Sequence, residues 1–215
     1  MENVKNLVGH DNGRTFRIIL ERLSDSGYDG KIVYNVLNTA EYGNIPQNRE
    51  RIYIVAFKNE KEKNNFNFPL PIELKKSIKD IFEFEEKVDE KYYYTKGKYK
   101  GDIFQKLEET IDDDNTVYQW RRKYVRKNMK NLVPTLTANM GEGGHNVPII
   151  KTKHGIRKIM PIEAFYAQGY PKSFKLPKDT SDGKLYKQAG NSVSVPVIER
   201  IAKNIIEALE KNENI

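Results

Sequence analysis

The stretch that most limits what this chain can fold into is residues 37–57, LNTAEYGNIPQNRERIYIVAF. Ile52, Tyr53, Ile54, Val55, Ala56 and Phe57 make a short apolar run, β-branched and aromatic enough to read as a buried strand. Arg49 and Arg51 stand two residues apart at its start. Before them, Tyr42-Gly43-Asn44-Ile45-Pro46 is turn chemistry, so Gln47 to Arg51 should emerge from a loop at the edge of a sheet. A guanidinium on a rigid strand end suits the gripping of a planar ligand that carries oxygen. The plain alternative is a solvated strand edge protected by charge.

With 215 residues the chain is expected to bury about 70% of its unfolded surface, which fits one compact domain, alone or with a satellite. Lys and Arg number 37 against 30 Asp and Glu, a net charge of +7 that favours a polyanionic partner. There is no cysteine, which excludes disulfides, thiolate metal sites and thiolate nucleophiles within these residues. The first residues, MENVKNLVGHDNG, lack the apolar core of a signal peptide, and no run approaches a membrane span. A cytoplasmic protein without a membrane partner is the expectation.

Phe16, Ile19, Leu20 and Leu23 recur at helical spacing, predicting a helix from Thr15 to about Ser24 that stops near Gly27. Residues 31–37 (KIVYNVL) read as a strand paired with residues 51–57, and the charged stretch 58–67 as a solvated loop. Between 69 and 116 only short helical turns are legible, around Ile78, Ile81 and Phe82 and around Ile103, Phe104 and Leu107. Glu85-Glu86 and Asp112-Asp113-Asp114 read as solvated turns, and His10, His145 and His154 lack the mutual spacing of metal ligands, so no metal site is expected.

The character changes over residues 117–130, VYQWRRKYVRKNMK. Arg121, Arg122, Lys123, Arg126, Lys127 and Lys130 interleave with Tyr118, Trp120 and Tyr124. Basic groups neutralise phosphates while aromatic faces stack, so this reads as a nucleic-acid surface, with a solvated lysine-rich face as its equal rival. Thr135-Leu136-Thr137 and the loop Gly141-Glu142-Gly143-Gly144-His145-Asn146 follow, the latter able to bring backbone close to a groove. A strand over Val147–Ile150, a helix opening at Pro161 and a turn at Gly190-Asn191-Ser192 come next. The last helix is expected to bury Ile198, Ile201, Ala202, Ile205 and Leu209 on one face.

In this order the features resemble the C-terminal half of a bacterial DNA (cytosine-5)-methyltransferase of the restriction-modification type. Glu2-Asn3-Val4 is similar to that family's ENV motif, Gln47-Asn48-Arg49-Glu50-Arg51 to QxRxR, and Thr135-Leu136 to the TL pair of the target-recognition region. Arg157 through Glu163 to Gly169-Tyr170-Pro171 resembles RxLTxxExxRxxGFP, with Met160 and Tyr166 departing from it, and Gly190-Asn191-Ser192-Val193 resembles GNSV. The FxGxG loop for S-adenosylmethionine and the PCQ loop with the nucleophilic cysteine have no counterpart in these residues.

The resemblance implies an α/β fold: part of a Rossmann-like methyltransferase sheet, with a small, mostly irregular or β target-recognition domain. Residues 1–57 and 157–215 would belong to the catalytic domain and 58–156 to recognition. It implies that Glu2 and Arg51 hold N3 and O2 of a flipped-out cytosine, with Arg49 supporting the site or a neighbouring phosphate. Asn191 and Ser192 would bind the methionine end of S-adenosylmethionine, most of whose site would lie elsewhere. Double-stranded DNA would meet Arg121, Arg122, Lys123, Arg126, Thr135, Leu136, Gly143, Gly144, His145 and Asn146. The chain is then expected to be inactive alone, either as one subunit of a split enzyme whose partner carries the cysteine or as a remnant. The rival from another class is a DNA-binding module without catalysis.

Overall fold

The computed structural model describes residues 1–99, 101–141 and 147–211. These form two compact units. The first comprises Met1–Gly43, Glu50–Glu73 and the chain from Val193 onward, and the second Asn44–Arg49 and Leu74–Ser192.

In chain order, β1 (Glu2–Val4), α1 (Arg14–Leu23), β2 (Ile32–Asn38) and α2 (Thr39–Tyr42) precede β3 (Gln47–Asn48), β4 (Glu50–Ala56) and α3 (Glu60–Asn65). Then come α4 (Ile103–Thr110), β5 (Tyr118–Arg121), β6 (Tyr124–Lys127), β7 (Val133–Pro134), β8 (Ile149–Thr152) and β9 (Gly155–Lys158). Helices α5 (Pro161–Tyr166), α6 (Asp182–Asn191) and α7 (Val195–Glu210) complete the described chain.

The first unit is a three-stranded antiparallel sheet in the order β1-β4-β2, so the apolar run of β4 is the central strand. Period-two alternation divides that run between two cores. Ile52 and Ile54 pack with Phe16 of α1, and with Ile19, Leu20 and Leu23, the stripe read from the sequence. Tyr53 and Phe57 pack on the opposite side with Leu37 and with Val197, Ile201 and Ala208 of α7. A strand covered on both faces has no use for polar residues, which is why this run is continuous.

Three expectations need correcting here. Residues 58–67 are not a bare loop: α3 forms because the Glu62 carboxylate takes hydrogen bonds from the Asn59 backbone N–H (3.4 Å) and side-chain amide (2.6 Å), and Phe66 then enters the core beside Phe57. Gln47 is not at a free loop's edge but in β3, paired in parallel with β7. On α7 the closed face is rotated from the expected stripe. Val197, Ile201 and Ala208 are buried, whereas Ala202 and Leu209 are exposed. Ile198, Ile201, Ala202 and Ile205 instead line, with Tyr53 and Val55, an open apolar groove of about 450 Å3.

The second unit holds a four-stranded antiparallel sheet, β6-β5-β8-β9, with α4 packed on it through Leu107 against Tyr118, Trp120 and Ile149. A larger core joins Ile78, Phe82, Val133, Leu136, Met140, Phe165 and Tyr186. Residues 157–192 thus pack with 74–156, a division by packing that differs from the functional division expected above. Tyr118 and Trp120 are 0% and 8% exposed, so they are core residues and not stacking faces; of that trio only Tyr124, 58% exposed, faces solvent. Gly190 and Asn191 end a ten-residue helix instead of making a free turn.

Candidate functional site

In the first unit, β1 lies antiparallel to β4 in the register Glu2↔Tyr53 and Val4↔Arg51. That pairing brings a carboxylate and a guanidinium, 49 positions apart in sequence, to one place: Glu2 Oε1 is 3.2 Å from Arg51 Nε. Their side chains are only 21% and 12% exposed. Glu2 Oε1 makes the ion-pair approach without hydrogen-bond geometry and accepts no hydrogen bond among the described residues. Arg51 is further fixed by donating Nη1 to Glu50 O at 2.8 Å. Burial pushes the Arg51 guanidinium below its ordinary value, and the negative charge of Glu2 and then Tyr53 work against that shift. Arginine starts so high that it keeps its charge. The arrangement is a half-buried acid beside a fixed cation, able to present an acceptor or acid and a donor fork to one small planar group.

Arg49, in the second unit, is placed differently. It is 2% exposed, and it donates to Leu136 O (3.0 Å), Gly190 O (3.4 Å) and Ser192 O (2.6 Å). Gln47 Nε2, also buried, donates to Ala167 O at 2.5 Å. Asn191, at the end of α6, is exposed, and it lines with Lys184, Lys187, Gln188 and Ser192 an open groove of about 470 Å3. Ser192 Oγ donates to Ala189 O at 3.0 Å.

Of the expected DNA contacts, Arg121, Arg122, Lys123 and Arg126 are exposed on the β5–β6 hairpin, whose two-residue turn is Arg122-Lys123 with Arg122 at φ 59°. Arg126 also reaches back to the Gln119 side chain. Thr135 is half-buried and donates Oγ1 to Asn48 O (2.7 Å). Leu136 is 1% exposed, its side chain in the core and its carbonyl on Arg49. Gly143, Gly144, His145 and Asn146 lie outside the described residues.

Sequence reasoning overlooked a buried ion pair. Arg157 of β9 and Glu163 of α5 have side chains 0% and 2% exposed and make two hydrogen bonds of 2.7 Å each. The carboxylate also accepts from Met160 N (2.6 Å) and Glu83 N (2.7 Å), and Arg157 donates to Glu83 O and Lys158 O, so both charges are heavily hydrogen-bonded. The sequence signal was there, an Arg six residues before a Glu at the third position of a helix opened by proline. Spacing along one chain does not show that the strand before the helix folds Arg157 back onto Glu163.

A sequence profile described as C-5 cytosine-specific DNA methylase matches residues 1–207. The chain belongs to this family. It is 57% identical over 209 residues to the type II methyltransferase M.Bsp6I of Bacillus sp. (strain RFL6), covering 97% of this chain and 65% of that protein. It is 39% identical to the type II methyltransferase M.SsoII of Shigella sonnei, covering 98% of this chain and 53% of that one. The chain thus spans between about half and two thirds of the length of these curated relatives. Among solved structures, the Entamoeba histolytica methyltransferase EhMeth matches with a TM-score of 0.67 at 19% identity, covering 97% of this chain and 62% of that one. Dnmt2 of S. pombe matches with 0.63 at 16% identity, covering 97% and 66%. The fold is accordingly that of an α/β methyltransferase. Among the described residues no helix is long and apolar enough to cross a membrane, and no cluster of acidic or histidine side chains could hold a metal ion.

Proposed function

We propose that these residues are the base-holding and sequence-reading part of a DNA (cytosine-5)-methyltransferase acting on double-stranded DNA. The observation that carries the reading is the half-buried Glu2–Arg51 pair, held 3.2 Å apart by the β1–β4 register. Attack of a thiolate on C6 of a flipped-out cytosine is slow unless the ring can take up charge. Glu2 protonates or hydrogen-bonds N3, which contributes about 10² to 10⁴ in rate, while Arg51 donates to O2 and stabilises the developing negative charge. A non-catalytic DNA-binding module gives no reason to hold an acid against a guanidinium there.

The thiolate must come from outside these 215 residues, which contain no cysteine. S-adenosylmethionine supplies the methyl group. The exposed Asn191 amide and the adjacent Ser192 fit the polar methionine end of that molecule, but their groove is open and offers no enclosed pocket for the rest of it, so most of the cofactor site belongs to a complementary segment or subunit. Residues 1–57 and 157–215 serve catalysis and 58–156 recognition, with Arg121, Arg122, Lys123 and Arg126 on DNA phosphates. In that division Thr135 and residues Gly143, Gly144, His145 and Asn146 read base edges.

The test combines the purified chain with the part of the Bacillus relative that it does not match, and measures 5-methylcytosine formation in duplex DNA. The expected result is no transfer by either piece and transfer by the mixture. In the mixture Glu2→Gln is expected to slow single turnover by about 10² or more with little change in DNA affinity, since it keeps shape but loses the acid. Transfer by the chain alone, or a Glu2→Gln rate equal to that of the exposed-helix control Arg22→Ala, would overturn the reading.

A further inference from the structure

The two arginines of the QNRER segment do different work. We infer that Arg49 is a positioning residue that locks the Thr135–Thr137 segment to the end of α6, and that it does not touch the base. Its guanidinium is almost fully buried and is spent on three main-chain carbonyls from two distant segments, Leu136 on one side and Gly190 and Ser192 on the other. The last two lie where α6 ends, the place at which a helix leaves carbonyls without intrahelical partners and carries partial negative charge. One planar fork therefore caps α6 and ties it to the recognition segment, a task for which a lysine's single ammonium is poorly shaped.

The same joint is tightened by its neighbours. A Cβ on Gly190 would stand 2.2 Å from Thr137 O and 2.8 Å from Ala138 N, so α6 meets the segment backbone to backbone and only glycine fits. Gln168 Nε2 donates to Ala189 O at 2.8 Å. Asn48 O accepts from Thr135 Oγ1 at 2.7 Å, next to Arg49 in the chain. At the other end of α6, Tyr92 OH and Lys91 Nζ hold Asp182 at 2.9 and 3.0 Å, so the helix is pinned at both ends. Release of Arg49 frees the end that presents Asn191 and Ser192.

Two measurements test this. On the chain alone, amide hydrogen exchange is read at Met140, whose N–H donates to Thr137 O, and at Ser192, whose N–H donates to Ala189 O, with Ile159 as an internal reference. Arg49→Lys and Gly190→Ala are each expected to speed exchange at Met140 and Ser192 by about tenfold or more relative to Ile159, and Arg51→Lys to leave all three as in the wild type. Arg49→Gln is expected to exceed Arg49→Lys; should it fail to fold, Arg49→Lys decides. In the mixture described above, and resting on that reading, Arg49→Lys should raise KM for S-adenosylmethionine about tenfold with kcat within about threefold. Unchanged exchange at Met140 and Ser192, or a loss confined to kcat with KM unmoved, overturns the assignment. If the wild-type mixture transfers nothing, the proposed function fails while the exchange result still judges Arg49.

Discussion

The two units treat their surfaces and interiors in opposite ways. The second closes on itself: its core sequesters even a full ion pair, Arg157 with Glu163, and surrounds it with main-chain partners from Glu83, Lys158 and Met160. Among its described residues the first buries no complete ion pair and leaves Ile198, Ala202 and Ile205 of α7 lining an open apolar groove beside β4. An apolar stripe on water gains nothing from folding. The contrast separates a region whose order is internal from one whose apolar surface is suited to being covered.

The largest effect should come from the closed interior. Glu163→Ala leaves Arg157 charged and buried, which costs about 3–5 kcal/mol; urea titration followed by tryptophan fluorescence, reporting on Trp120, measures it. Replacing both partners at once with Met at 157 and Leu at 163 should recover much of that loss. A cost below about 1 kcal/mol would mean that the pair behaves as a surface one, and the contrast between the units would break.

Next comes the open groove. The chain alone is expected to self-associate at micromolar concentration, and Ala202→Glu, at an exposed groove position, to shift it towards monomer in sedimentation velocity without lowering the melting temperature. A wild-type chain that stays monomeric would show that the groove needs no cover.

A smaller change is expected from the hairpin tip. Arg122→Gln should reduce the slope of log K against log salt for duplex DNA by about one unit for each phosphate that goes without its cation. An unchanged slope would remove Arg122 from the interface.

The smallest concerns Asp112. The Tyr118 hydroxyl (2.7 Å) and then the Lys127 ammonium (2.9 Å) hold its carboxyl down at about 2. A depressed carboxylate stabilises the fold fully above the ordinary value of about 4 and ceases to do so as pH falls through the folded value. Between about pH 4 and 2 the melting temperature of the wild type should therefore fall slightly more steeply than that of Asp112→Asn, the difference being small because Asp112 is exposed.

What local chemistry encodes was readable. Residues 14–23 and 50–56 appear as a helix and a strand because their apolar periods, 3.6 and near-continuous, are properties of a few neighbouring side chains. Helix α3 was hidden because it is charged all round and depends on the Asn59–Glu62 cap and on Phe66, which lies just past its end. Tyr118 and Trp120 were misread because basic neighbours at the hairpin tip coloured the whole stretch, although each aromatic belongs to a strand lying against α4. Glu2 and Arg51, which the β1–β4 register brings together, were both singled out from the sequence by residue type and motif.

By itself the sequence determined the most strongly periodic elements, the family motifs and the absence of a nucleophilic cysteine, since each is written in residue identity and short-range spacing. Only the tertiary structure decided what the charges meet. Antiparallel register carries Glu2 to Arg51 across 49 positions, and burial turns Arg49 towards carbonyls 87 to 143 residues away. The physical reason is that a buried guanidinium must satisfy its donors wherever carbonyls converge, and where they converge is a property of the packed chain.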